Sequence, residues 1–101
     1  MELTKLQYST NRSGLLRLYR MNADGFHHGG LFLARQIQYP EDEVSMREGR
    51  ELADEHLARG LECRIINGGD ELIFHAKGSK VIFPPEGAEA FWQSVGGYDV
   101  K

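Results

Sequence analysis

The segment between Pro40 and Gly60 carries both a start and a stop signal for a helix, and runs of alternating polarity flank it on either side. A helix with one apolar stripe set between strand-like runs has to bury that stripe against a sheet, which restricts the chain to mixed architectures. Ser45 with Glu48 fits a capping box, and Glu41, Asp42 and Glu43 crowd the positive end of the helix dipole. Arg59 falls in the last turn, and Gly60 suits the left-handed position beyond it. The helix is expected over Met46 to Arg59, with Met46, Gly49, Leu52, Ala53, His56 and Leu57 on the buried stripe. Gly49 would let it approach the sheet closely.

Before this helix the pattern gives three strands, Glu2 to Ser9, Leu15 to Met21 and Leu31 to Tyr39, separated by Asn- and Gly-rich turns. Strict alternation puts Leu6, Tyr8, Leu16, Leu18, Leu31, Leu33, Ile37 and Tyr39 on the core side. Lys5, Gln7, Arg17, Tyr19, Phe32, Gln36 and Gln38 then share the other side. After the helix, Leu61 to Ile66 and Glu71 to Lys77 form a hairpin around Asn67-Gly68-Gly69-Asp70, residues that tolerate positive φ. Gly78-Ser79 turns again into Val81-Ile82-Phe83, which Pro84-Pro85 ends. A short helix follows with Ala88, Phe91, Trp92 and Val95 on one face, closed by Gly96-Gly97, and residues 96–101 are expected to fray. The order is βββ-α-βββ-α, an α+β fold in one domain spanning 1–101, with both helices on one face of one or two antiparallel sheets.

With 101 residues the chain has room for a single core. Its one cysteine, Cys63, rules out an internal disulfide framework and fits a reducing compartment. Neither a secretory leader nor an apolar run of spanning length is visible, so a cytoplasmic protein without membrane contact is expected. The net charge is −3 overall; residues up to Pro40 carry five basic against two acidic side chains, +3, which leaves −6 for the rest.

Four histidines are the first candidates for chemistry: His27, His28, His56 and His75. None sits in a metalloprotease, nucleophile-elbow or phosphate-loop motif. His27 and His28, with Asp24 near, offer ligands that a divalent metal accepts, but adjacent residues in an extended loop point apart, and no metal or other cofactor is expected. His56 reads as a core histidine and Cys63, in phase with Leu61 and Ile65, as an inert buried thiol. His75 should face outward with Glu71, Ile73 and Lys77. Residues 46–95 run α-β-β-β-α, an element order similar to that of double-stranded-RNA-binding domains and of some small RNA-cleaving toxins. On that likeness His75, helped by His56 or an acidic neighbour, would do general acid-base work on a phosphodiester. Against it, the segment is acidic and lacks the basic loops that phosphate contact needs.

The outward face of the first strands is the other candidate. Lys5 and Arg17, with Arg12 as a further candidate, would supply positive charge there, Tyr19 and Phe32 flat rings, and Gln36 hydrogen bonds. The acidic run Glu41-Asp42-Glu43, continued by Glu48, Glu51, Asp54 and Glu55, would attract a basic partner, although Arg47, Arg50 and Arg59 can pair with it locally. The sequence thus reads first as a non-enzymatic binding or regulatory protein, or small inhibitor, that contacts another macromolecule through the sheet face or the acidic helix. A protein partner is expected, with nucleic acid or a second copy of the chain as alternatives. A small RNA-binding or RNA-cleaving domain is the alternative reading.

Overall fold

The computed structural model describes residues 8–21, 31–39 and 41–95. Within them the elements are β1 (Gly14–Met21), β2 (Leu31–Tyr39), α1 (Glu43–Ala58), β3 (Glu62–Ile66), β4 (Leu72–Lys77), β5 (Lys80–Phe83) and α2 (Ala88–Ser94). The strands form one sheet in the order β2-β1-β3-β4-β5, every neighbouring pair antiparallel. Because β2 and β3 both run antiparallel to β1, they are parallel to each other, and α1 carries the chain across β1 from one to the other. Of the strand expected over Glu2 to Ser9, residues 2–7 lie outside the described residues, as does the tail 96–101. Tyr8 makes an isolated parallel bridge to Leu72, and the Ser9 amide donates to the Leu72 carbonyl at 2.8 Å.

The start of α1 lies three residues earlier than the capping-box reading places it. Asp42, not Ser45, is the N-cap: its carboxylate accepts from the Ser45 amide at 3.0 Å and from the Ser45 hydroxyl at 2.5 Å. Two cap-forming residues stood three apart, and the carboxylate takes the role because it satisfies an orphan amide and sits at the positive end of the dipole. Those hydrogen bonds from Ser45 hold the Asp42 carboxyl below its ordinary range. The other end is as read: Gly60, at φ 79°, follows the Arg59 C-cap, with Gly60 N–H donating to Leu57 and Leu61 N–H to His56. That pair of bonds is a Schellman closure.

Both helices cover one face of the sheet. Leu16, Leu18, Ile37, Met46, Ala53, Cys63, Ile65, Phe74, Ala76, Phe91, Trp92 and Val95 form the main core between the layers. At Gly49 α1 comes so near the sheet that a β-carbon there would stand 2.8 Å from Ile37 Cδ1. Arg50, nearly buried, bonds Glu89 at 2.7 Å and lies over the Trp92 ring, which ties α1 to α2.

Three β-bulges change the expected faces. Pairings jump from Leu18 with Arg35 to Tyr19 with Leu33, from Ile65 with Phe74 to Ile66 with Leu72, and from His75 with Phe83 to Ala76 with Val81. Ala34, Ile73 and Ile82 are therefore extra residues, and the alternation inverts at each. Leu31 and Leu33 consequently lie on the face opposite Ile37 and Tyr39, with Leu33 exposed, and Ile73, expected outward, is fully buried in the main core. Tyr19, expected on a wet surface, is only 3 % exposed; with Leu31, Ile66 and Leu72 it forms a second buried cluster on the face away from the helices. Phe32 pairs with Arg20 and so turns to the helix side.

Truncation of Trp92 to alanine removes a fully buried ring from the joint of sheet and helices and is expected to cost about 3–5 kcal/mol in urea unfolding. Ile82→Ser, at an exposed bulge, is expected to stay within about 0.5 kcal/mol of the wild type. Equal losses for the two would contradict this packing.

Candidate functional site

Two groups of residues come together in ways that bear on function. The first lies on the open face around His75. Cys63 and Ile65 face the core, so Glu62 and Arg64 on the same strand project to the other side, where Arg64 pairs in register with His75. The His75 Nε2 lies 2.5 Å from Glu62 Oε2, and Arg64 grips that same oxygen through Nε at 2.9 Å and Nη2 at 2.7 Å. Tyr8 completes the chain: its hydroxyl is 3.3 Å from His75 Nδ1 and its ring lies 4.4 Å from that of Phe83.

The charges fix the protonation pattern. Partial burial, aided by the Arg64 charge, pulls His75 below its ordinary pKa, against the opposing pull of Glu62. Burial alone would raise Glu62, but hydrogen bonds from Arg64 and His75 outweigh it and hold the carboxyl low. Above the ordinary histidine range, neutral His75 thus donates from Nε2–H to the Glu62 carboxylate and accepts at Nδ1 from the Tyr8 hydroxyl. Both ring nitrogens are engaged, and the arrangement holds residue 8 against the sheet.

The second group is a groove of about 790 Å³ at the end of the sheet. Tyr39, Phe83, Pro84 and Ala90 give it apolar walls, while Arg12 and Glu86 bring charge. Residues 8–13 build one side by passing round the sheet end. Ser9 is pinned by Leu72 and Glu71, and Asn11 turns the chain by accepting from the Ser13 amide at 3.1 Å. Arg12 then lays its guanidinium over the Phe91 ring, 5.2 Å from the centroid, on the helix side. Asn67, 1 % exposed, locks the neighbouring hairpin loop and reaches the Asn11 carbonyl. Among the described residues no histidine or cysteine lines the groove, and its size is that of a ligand cleft.

The sequence-based candidates fall as follows. His56 and His75 are not brought together: His56 is buried on the helix side with both ring nitrogens lacking a hydrogen-bond partner, and His75 is on the opposite face. Burial, with Arg20 and Arg59 adding to it, holds His56 below its ordinary pKa. Cys63 is fully buried, and burial pushes its thiol up to about 12. Arg17 bonds Asp70 at 2.6 Å and the Asn67 carbonyl at 2.9 Å, so its charge is locally matched. Gln36 is exposed beside it in register. With Tyr19 buried and Phe32 turned away, these residues do not make a stacking surface. Lys5, Asp24, His27 and His28 lie outside the described residues, and among the described residues no cluster of metal-ligating side chains occurs. No described helix is long and apolar enough to cross a membrane. On α1 most acids are matched: Glu43 by Arg47, Glu48 by Arg35 and Asp54 by Arg50.

Sequence reasoning passed over Glu62 and Arg64, and took Arg12 only as a charge on the outward face of the first strands. The first two carry a signal, since placing Cys63 inward sends both neighbours to the face of His75. The place of Arg12 carries none, because it depends on α2 lying beside the sheet end. Comparison with protein-family models, with curated proteins and with solved structures gives no match.

His56 and His75 both bind protons less readily folded than unfolded, so the unfolded chain takes up more protons below the ordinary value of 6.5. Stability is therefore expected to be full above that value and to fall as the pH drops below it, with Glu62 adding a further loss below 4.5. Urea midpoints between pH 8 and pH 4 measure this, and His75→Gln should flatten part of the upper step. A wild-type profile flat down to the carboxylate range would contradict the assignment.

Proposed function

We propose that this chain is a non-enzymatic binding protein and that the groove at the sheet end, rather than the sheet face or the acidic helix, is its contact site for another protein. The observation that carries this reading is the joining of apolar walls from Tyr39, Phe83, Pro84 and Ala90 with the Arg12 guanidinium in one concave surface. Aromatic and proline rings lose little conformational freedom on binding, which makes such walls efficient at holding an extended segment. The other surfaces offer less: Arg17 is matched by Asp70, and the acids of α1 are largely matched by arginines.

A second reading has one observation behind it. The His75–Glu62 pair resembles an oriented base, with Nδ1 as the acceptor for a proton from an RNA 2′-hydroxyl. It requires Tyr8 to leave Nδ1.

Selection from a displayed library of random peptides tests the first reading. Peptides enriched on the wild type are expected to lose binding at least tenfold to Ala90→Glu, which intrudes on the groove from an exposed helix position, and to keep it with Glu51→Lys/Glu55→Lys on α1. Loss with the α1 variant alone would move the contact site to the acidic helix. Cleavage of single-stranded RNA by wild type but not by His75→Ala would establish the second reading instead.

A further inference from the structure

We propose that the groove recognises an internal, extended segment of a partner in which an Asp or Glu side chain meets Arg12 while an aromatic or proline ring lies against Tyr39, Phe83 and Pro84. This rests on the binding reading above and names its ligand.

Arg12 is built as a receptor for a carboxylate. Its guanidinium carbon lies over Phe91, 5.2 Å from the ring centroid, and Nη1 donates to the Ser9 carbonyl at 3.3 Å. Its Nε is buried without a hydrogen-bond partner, and among the described residues no carboxylate forms an ion pair with it. Burial depresses its pKa, opposed by the charge of exposed Glu86, so the cation is partly dehydrated with its charge incompletely matched. A planar guanidinium held over a ring and by a backbone carbonyl presents its outer Nη N–H groups as a fork that fits a carboxylate.

The walls specify the rest. Phe83 is oriented by Tyr8 on its other side, and Tyr39 is fixed against the main core, so both rings meet a ligand already in place. In an extended peptide, side chains two residues apart project to the same face, which lets one segment deliver a carboxylate and a ring together. The groove is open rather than enclosed, so a chain can pass through it without ending there. Among the described residues no lysine lines it, and Glu86 does, which disfavours phosphate and a nucleic-acid backbone, both of which call for clustered positive charge.

Nuclear magnetic resonance titration of the isotope-labelled full chain with three probes tests this: acetyl-Asp-Ala-Phe-amide, acetyl-Asn-Ala-Phe-amide and acetyl-Asn-Ala-Phe with a free carboxyl end. The first probe is expected to shift resonances of Arg12, Ala90 and Ser94 and to bind about tenfold more tightly than the second, the gain of one charge-assisted hydrogen-bond pair. Arg12→Gln should erase that ratio, and Glu86→Gln, which leaves Arg12 in place, should widen it. Equal binding of the first two probes would overturn the carboxylate inference while the groove stands as the contact site. A third probe as tight as the first, with the second weak, would overturn the assignment to an internal side chain in favour of a chain terminus. Failure of all three to move groove resonances would overturn both the inference and the reading it rests on.

Discussion

The contact of Phe74, Phe91 and Trp92 is the interaction on which the rest of the arrangement depends. Ring centroids are 4.8 Å apart between Phe74 and Phe91, 5.9 Å between Phe74 and Trp92, and 4.9 Å between Phe91 and Trp92, the last pair edge to face. Helix α2 has seven residues, too few to hold helical structure in water without packing, so these rings are what keep it formed and placed. Once placed, α2 supplies Glu89 to Arg50 and so joins α1 to the same block. Its Phe91 also meets Arg12, which makes one ring both a core anchor and the floor under the groove's cation.

The two functional groups are mechanically connected. Tyr8 touches His75 and Phe83 on the open face, and four residues later Arg12 touches Phe91 on the helix face. The intervening chain wraps the sheet end and is held by Ser9 and Asn11. His75 with Glu62 and Arg64 is therefore a clasp for the segment that carries Arg12. Both ring nitrogens of His75 already face another polar group, Glu62 at one and Tyr8 at the other.

Much of the fold was legible because its local signals agree with one another. Gly60 ends α1, Asn67 to Asp70 turn the hairpin, and Phe91, Trp92 and Val95 anchor α2 as their spacing indicates. The faces of the strands were legible only up to the bulges. Ala34, Ile73 and Ile82 are ordinary strand residues with no turn chemistry, and a single inserted residue inverts every assignment beyond it. That is why Phe32 lies on the helix side rather than on a surface platform, whereas Tyr19 keeps its face and is buried there with Leu31, Ile66 and Leu72. The groove was less legible still, because Arg12, Tyr39, Phe83 and Ala90 meet only after the strand order is set, and local periodicity does not encode strand order.

A photo-crosslinking amino acid placed at residue 90 on the groove wall, and in a second variant at residue 51 on the outer face of α1, tests the site most directly when both chains are irradiated in the host cell. If the groove is the contact site, a discrete protein is trapped from position 90, the adduct disappears when Arg12→Gln is added, and position 51 gives none. Trapping of a discrete partner from position 51 with nothing from position 90 would contradict it and return the contact to the acidic helix.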